Sequence, residues 1–152
     1  MNASASAVRR IWRTVAVAGL AFGARDARAQ ISVSGSPAAM KVTAAVAGLA
    51  PTAVSNALTT YSLSSNPAGH FTVTARINSP MPAGVTLKIT LAASRGVSAG
   101  AVTLSTVAQN VVTGVTQRMF GQVITYKLSA TAAAGVVPLQ TRIVTLTQIN
   151  TP

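Results

Sequence analysis

The chain has 152 residues, no cysteine, and 12 basic residues against 1 acidic residue, a formal net charge of +11. That composition excludes disulfide stapling, paired-carboxylate hydrolysis, an Asp-oriented triad, and Ca²⁺ or Mg²⁺ sites built on carboxylates. With a single histidine, the multi-ligand sets of zinc and iron are excluded as well.

Arg9, Arg10 and Arg13 precede an apolar run over residues 14–24, and Ala27-Arg28-Ala29 follows. A basic start, an apolar stretch and a small-x-small end are the layout of a secretory signal peptide, so residues 1–29 are expected to be removed on export, leaving Gln30 as the N-terminus. The apolar run is about half the roughly 20 residues a spanning helix needs. The Arg9-Arg10 pair leaves a twin-arginine route open beside the general one. Cleavage would remove Asp26, the only acid, and the mature part would keep Lys41, Arg76, Lys88, Arg95, Arg118, Lys127 and Arg142. A chain of 30–152 suits one domain that draws its stability from buried Val, Leu, Ile and Ala.

The mature part begins with Gln30, Ile31 and Val33 in QISVSG, a short alternating arm over 30–36 that Pro37 closes. Met40, Val42, Ala44 and Val46 alternate again and predict a strand ahead of Gly48 and Pro51. Residues 54–65 contain TTYSLSS, with Tyr61 and Leu63 on one face, and Asn66-Pro67-Ala68-Gly69 is a turn. Two alternating runs follow. Phe71, Val73, Ala75 and Ile77 interleave with Thr72, Thr74 and Arg76; Val85, Leu87, Ile89 and Leu91 interleave with Thr86, Lys88 and Thr90. A period of two puts the apolar set of each run on one face. With Pro80, Pro82 and Gly84 between them, the runs predict a β-hairpin in which Ile77 faces Val85, Arg76 faces Thr86 and Thr74 faces Lys88, with no like charges opposed.

Residues 94–100 predict a loop, AVTLS (101–105) and QNVVTGV (109–115) short strands, and Gly114 the end of the second. Over 121–132, Ile124, Tyr126, Leu128 and Ala130 share one face and Thr125, Lys127 and Ser129 the other. Gly135 and Pro138 mark a turn over 133–140, and TRIVTLTQI (141–149) a closing strand. Short alternating runs about 8–12 residues apart predict an all-β fold: a single immunoglobulin-like antiparallel β-sandwich of about seven to nine strands.

The segments MPAGVTLKITLAA (81–93), GAVTLSTVAQNVVTG (100–114) and ITYKLSATAAAGVVP with TRIVTLT (124–138, 141–147) resemble small exported bacterial immunoglobulin-like sandwich domains in composition. The Cys pair and Trp of antibody-type domains are absent from 30–152. The resemblance implies a fold and an exported location, not an activity.

His70 lies between Gly69 and Phe71 at a turn. It could activate a serine only with an orienting acid, which is missing, so a solvated turn histidine is the better reading and an enzyme is not expected. No cofactor is implied. The cations Arg76, Lys88, Lys127 and Arg142 would contact an anionic envelope polymer or polysaccharide, or would simply keep an apolar sandwich soluble and blunt its edges. With Tyr61, Phe71, Phe120 and Tyr126 the only aromatics of 30–152, and Phe71 and Tyr126 in core positions, nucleic-acid binding is not expected. Thr72/Thr74, Thr145/Thr147 and Thr86/Thr90 suggest a hydroxyl array of the ice-binding kind, but Arg76 and Lys88 interrupt it and Thr is ordinary on a wet strand face. The arm at Gln30, Ile31 and Val33 would add to a neighbour's open sheet edge, or pair within its own sandwich. The expectation is an exported, non-enzymatic structural or surface-associated module. Its partners would be itself or another envelope protein through sheet edges, or alternatively an anionic polymer.

Overall fold

The computed structural model describes residues 31–42, 49–64 and 70–151. The expected signal segment 1–29, Gln30, the Ala44–Val46 part of the second predicted strand, and the turn at Asn66-Pro67-Ala68-Gly69 lie outside the described residues.

Two antiparallel sheets face each other. The strands are β1 (Ile31–Ser34), β2 (Val54–Leu63), β3 (His70–Ile77), β4 (Val85–Leu91), β5 (Val97–Ser98), β6 (Val102–Thr103), β7 (Gln109–Val115), β8 (Met119–Ala130) and β9 (Val144–Thr151). A single 3₁₀ turn, Ala132–Ala134, follows β8. The five-stranded sheet has the order β1-β2-β8-β4-β6, the four-stranded sheet β5-β7-β3-β9. The all-β expectation holds, and the predicted strands over 54–65, 71–77, 85–91 and 109–115 are present. Gly114, expected to end its strand, sits inside β7 with positive φ (63°), where the pairing with β3 shifts register.

The core is the set of inward side chains that period-two alternation selects: Tyr61 and Leu63 from β2, Phe71, Val73, Ala75 and Ile77 from β3, Leu87, Ile89 and Leu91 from β4, and Ile124 and Tyr126 from β8, all buried. Each large apolar side chain so buried contributes about 1.5–3 kcal/mol. Val111 and Val112 are both fully buried although adjacent, because β7 bulges against β3 between Val112 and Asn110.

The predicted hairpin over 71–92 does not form. β3 lies in the four-stranded sheet and β4 in the five-stranded one, so the two runs contribute to the core from opposite sheets instead of sharing a ladder. Alternation fixes which side chains point inward, and facing strands satisfy that requirement as well as neighbouring ones. The connection 78–84 spans the layers, with Thr131 N–H donating to the Gly84 carbonyl (2.8 Å) and Arg142 donating to the Pro80 carbonyl. Gly84 has φ 75°, and a Cβ there would stand 2.7 Å from the Thr131 hydroxyl and 3.0 Å from Ala134 Cβ. Only glycine fits this crossing without displacement.

The strand order also departs from the immunoglobulin type. That sandwich keeps D beside E and F beside G within one sheet. Here every link from β2 to β9 passes from one sheet to the other.

Candidate functional site: a basic face and a sheet margin

β4 and β8 pair residue for residue, from Val85 opposite Ala130 to Leu91 opposite Ile124, without a bulge. Since Leu87, Ile89, Ile124 and Tyr126 are buried inward, alternation turns Thr86, Lys88 and Thr90 of β4 and Thr125, Lys127 and Ser129 of β8 outward. The register sets Lys88 directly opposite Lys127, with Cα atoms about 5 Å apart. Thr103 of β6 flanks Lys88 and Ser55 of β2 flanks Lys127 in the same row. In the rows on either side, Thr90 opposes Thr125 and Thr86 opposes Ser129. The two lysine stems therefore leave adjacent strands side by side, among outward hydroxyl side chains. The expected pairing of Thr74 with Lys88, free of like charges, is replaced by a lysine–lysine pair.

The four cations singled out by sequence are not brought to one place. Arg76 is exposed on β3, opposite Thr145 in the other sheet. Arg142 is engaged within the protein: its guanidinium donates to the carbonyls of Pro80 (2.8 Å) and Thr141 (3.0 Å) and to the Gln140 side-chain oxygen. It ties the β8–β9 link to the β3–β4 crossing. His70 is exposed at the start of β3, opposite Thr151. Among the described residues no cluster of His, Cys, Asp or Glu could hold a metal ion, and no helix is long and apolar enough to cross a membrane.

The edges differ as much as the faces. Ile31 and Val33 of the predicted arm lie on β1, opposite Leu63 and Tyr61 of β2 in the same chain. β1 stops at Gly35, where φ is 80° and a Cβ would stand 2.5 Å from the Leu58 carbonyl oxygen. β5 and β6 are two residues long. β9 is different: its eight residues, VTLTQINT, carry no charge, proline or glycine, and pair with β3 in unbroken register from His70–Thr151 to Ile77–Val144. The Asn78 N–H donates to the Ile143 carbonyl (3.1 Å), and the Ile143 N–H to the Asn78 side chain (3.0 Å). That pair sets the phase of the ladder, so the peptide groups of Thr145 and Thr147 face β3 and those of Val144, Leu146 and Asn150 face away. Among the described residues no strand lies on the far side of β9. The segment leading into it exposes Val136, Leu139 and Ile143, and β9 itself exposes Ile149.

Of the aromatic side chains, Tyr61, Phe71 and Tyr126 are buried and Phe120 is exposed. The Tyr61 hydroxyl donates to the Ala92 carbonyl (2.6 Å), and burial pushes its pKa up to about 12. Burial raises Tyr126 as well. The tyrosines are thus structural, as the alternation around Tyr126 implied. What sequence reading missed is the Lys88–Lys127 juxtaposition and the position of β9 at an edge. Outward alternation of both lysines was visible; which strands are neighbours was not. No known family, no curated protein and no solved structure matches the chain.

Proposed function

We propose that the protein is an exported, non-enzymatic structural module that assembles with further copies of itself through its β9 edge. The observation that carries this reading is β9: eight residues in unbroken register, without charge, proline or bulge on the strand. Natural sheets protect such edges with lysines, prolines, bulges or very short strands. The other edges of this sandwich are short, and this one is not. A second β9 is a suitable occupant because two uncharged strands meet without repulsion and the outward peptide groups of Val144, Leu146 and Asn150 suit strand addition. The apolar Leu139, Ile143 and Ile149 beside the edge add surface that association would bury. Export rests on the order of residues 1–29.

The test is the native mass of the protein taken from the cell envelope without denaturant, beside variants Thr147→Lys and Ile149→Lys. Both side chains are solvent-facing, so the fold should survive while an added charge opposes edge pairing. The expected result is a multi-subunit particle for the wild type and monomers for the variants. A monomeric wild type, or a particle indifferent to both substitutions, rejects the reading.

A further inference from the structure

We propose that the outer face of the five-stranded sheet is a binding site for an acidic polysaccharide, held at the Lys88–Lys127 pair. This inference is independent of assembly through β9, which belongs to the other sheet.

Like charges directly opposite on adjacent strands destabilise a sheet. Elsewhere such a pair would be relieved by a carboxylate on a flanking strand. Here the flanking positions are Ser55 and Thr103, and Asp26, far away in sequence and within the expected signal segment, is the only acid in the chain. Among the described residues no carboxylate side chain stands beside the pair, so an anionic ligand would supply the compensating charge. The surroundings suit such a ligand: Thr86, Thr90, Thr125 and Ser129 surround the two ammonium groups with hydroxyl donors. The β4–β8 ladder has no bulge, so the donors form regular rows, about 4.8 Å apart between strands and about 7 Å between successive outward residues of one strand.

The same block discriminates among polyanions. The rows of Thr, Ser and Lys carry no aromatic side chain on which bases could stack, the exposed Phe120 standing alone at the far end of β8, which disfavours single-stranded nucleic acid. The block's apolar side chains are few, the exposed Val123 of β8 and Leu58 of β2, which is little to enter a lipid interface and disfavours a membrane surface. A hydroxylated polymer bearing carboxylate or sulfate groups meets both the ammonium pair and the hydroxyl field. Lysine, a compact charge on a flexible stem, accommodates either acid group.

The experiment uses protein purified from cells expressing the whole chain, with polygalacturonate and dextran sulfate as acidic probes and neutral dextran and single-stranded DNA as comparators. The wild type should bind at least one acidic polysaccharide, leave neutral dextran unbound, and bind DNA more weakly. Which acidic probe binds tighter tells carboxylate from sulfate. Affinity should fall steeply with ionic strength. The double variant Lys88→Ala/Lys127→Ala should lose at least about ten-fold in affinity and flatten the salt dependence by about one ion per lysine removed. Lys88→Arg/Lys127→Arg should retain binding, and Arg76→Ala, on the opposite sheet, should not change it. With no polymer present, Lys127→Thr should raise the melting temperature by removing the repulsion, which separates loss of the site from loss of the fold. Equal binding by wild type and double alanine variant, tighter binding to DNA, or no binding at low salt would each overturn the proposal. Thr147→Lys should bind the polymer as the wild type does, so failure of this inference and failure of edge assembly are read separately.

Discussion

In the five-stranded sheet the regular ladder runs between two interior strands, β4 and β8; in the four-stranded sheet it runs between β3 and the outermost strand, β9. The remaining pairings are bulged or brief: β2 against β8 shifts register twice, as does β3 against β7. An unbroken ladder presents a repeating surface, and where it lies decides which kind. Between interior strands it makes a face, here of lysines and hydroxyls. At the margin it makes an edge, here of outward peptide groups. Bulges fall where the core needs extra residues, as at Val111 and Val112. If both proposals hold, binding at the face should weaken with salt and assembly at the edge should not.

The comparison is broken most severely by cutting the crossing that joins the two sheets. Gly84→Ala forces a side chain into positive φ and against Thr131 and Ala134, and should cost about 2–4 kcal/mol. Chemical denaturation with both sheets monitored should show them lost in one transition; a sheet that survives alone would make them independent units.

A second test singles out the five-stranded sheet by pH. Tyr61 titrates near 10 when unfolded and near 12 when folded. Below pH 10 both states keep the proton and stability is unaffected by this group. As pH rises from 10 toward 12 the unfolded chain releases the proton first, so stability should fall across that window. Tyr61→Phe should flatten the fall, leaving the residual slope of Tyr126, and should cost about 1 kcal/mol at neutral pH through the lost bond to Ala92. A wild-type stability profile flat to pH 12 would contradict the buried, donating phenol.

The smallest effect contrasts two buried threonines, one from each sheet. Thr59, at the β2 bulge, is fully buried with its hydroxyl unpartnered among the described residues. Thr74, on β3, donates to the Thr147 carbonyl at 3.4 Å. Thr59→Val should therefore gain about 1 kcal/mol, and Thr74→Val should lose about 0.5 kcal/mol. The reverse result, Thr59→Val losing stability and Thr74→Val gaining it, would mean that the Thr59 hydroxyl is satisfied at the bulge and the Thr74 bond is not formed.

Much of the architecture was legible in the chain. The alternation of Phe71–Val73–Ala75–Ile77 and of Leu87–Ile89–Leu91 named core residues and strands together, because period two in side-chain direction follows from the backbone alone. The outward positions of Lys88, Lys127 and Arg76 followed from the same rule. Strand neighbours did not, since the connection at 78–84 is compatible with a hairpin or with a crossing. That ambiguity hid the Lys88–Lys127 pair, whose members are far apart in sequence and meet only through the β4–β8 register.

Residue types and their local spacing dictate the fold class, the inward and outward faces, the lack of disulfides, and the near-absence of acids that leaves the lysines without a carboxylate partner on neighbouring strands. These are properties of single residues and their local spacing. Strand order, the crossing at Gly84, the engagement of Arg142 at Pro80, the lysine pair and the place of β9 at the margin of its sheet among the described residues emerge from long-range contacts. Each depends on which distant segments become neighbours, and that is set by how two apolar faces close over one core.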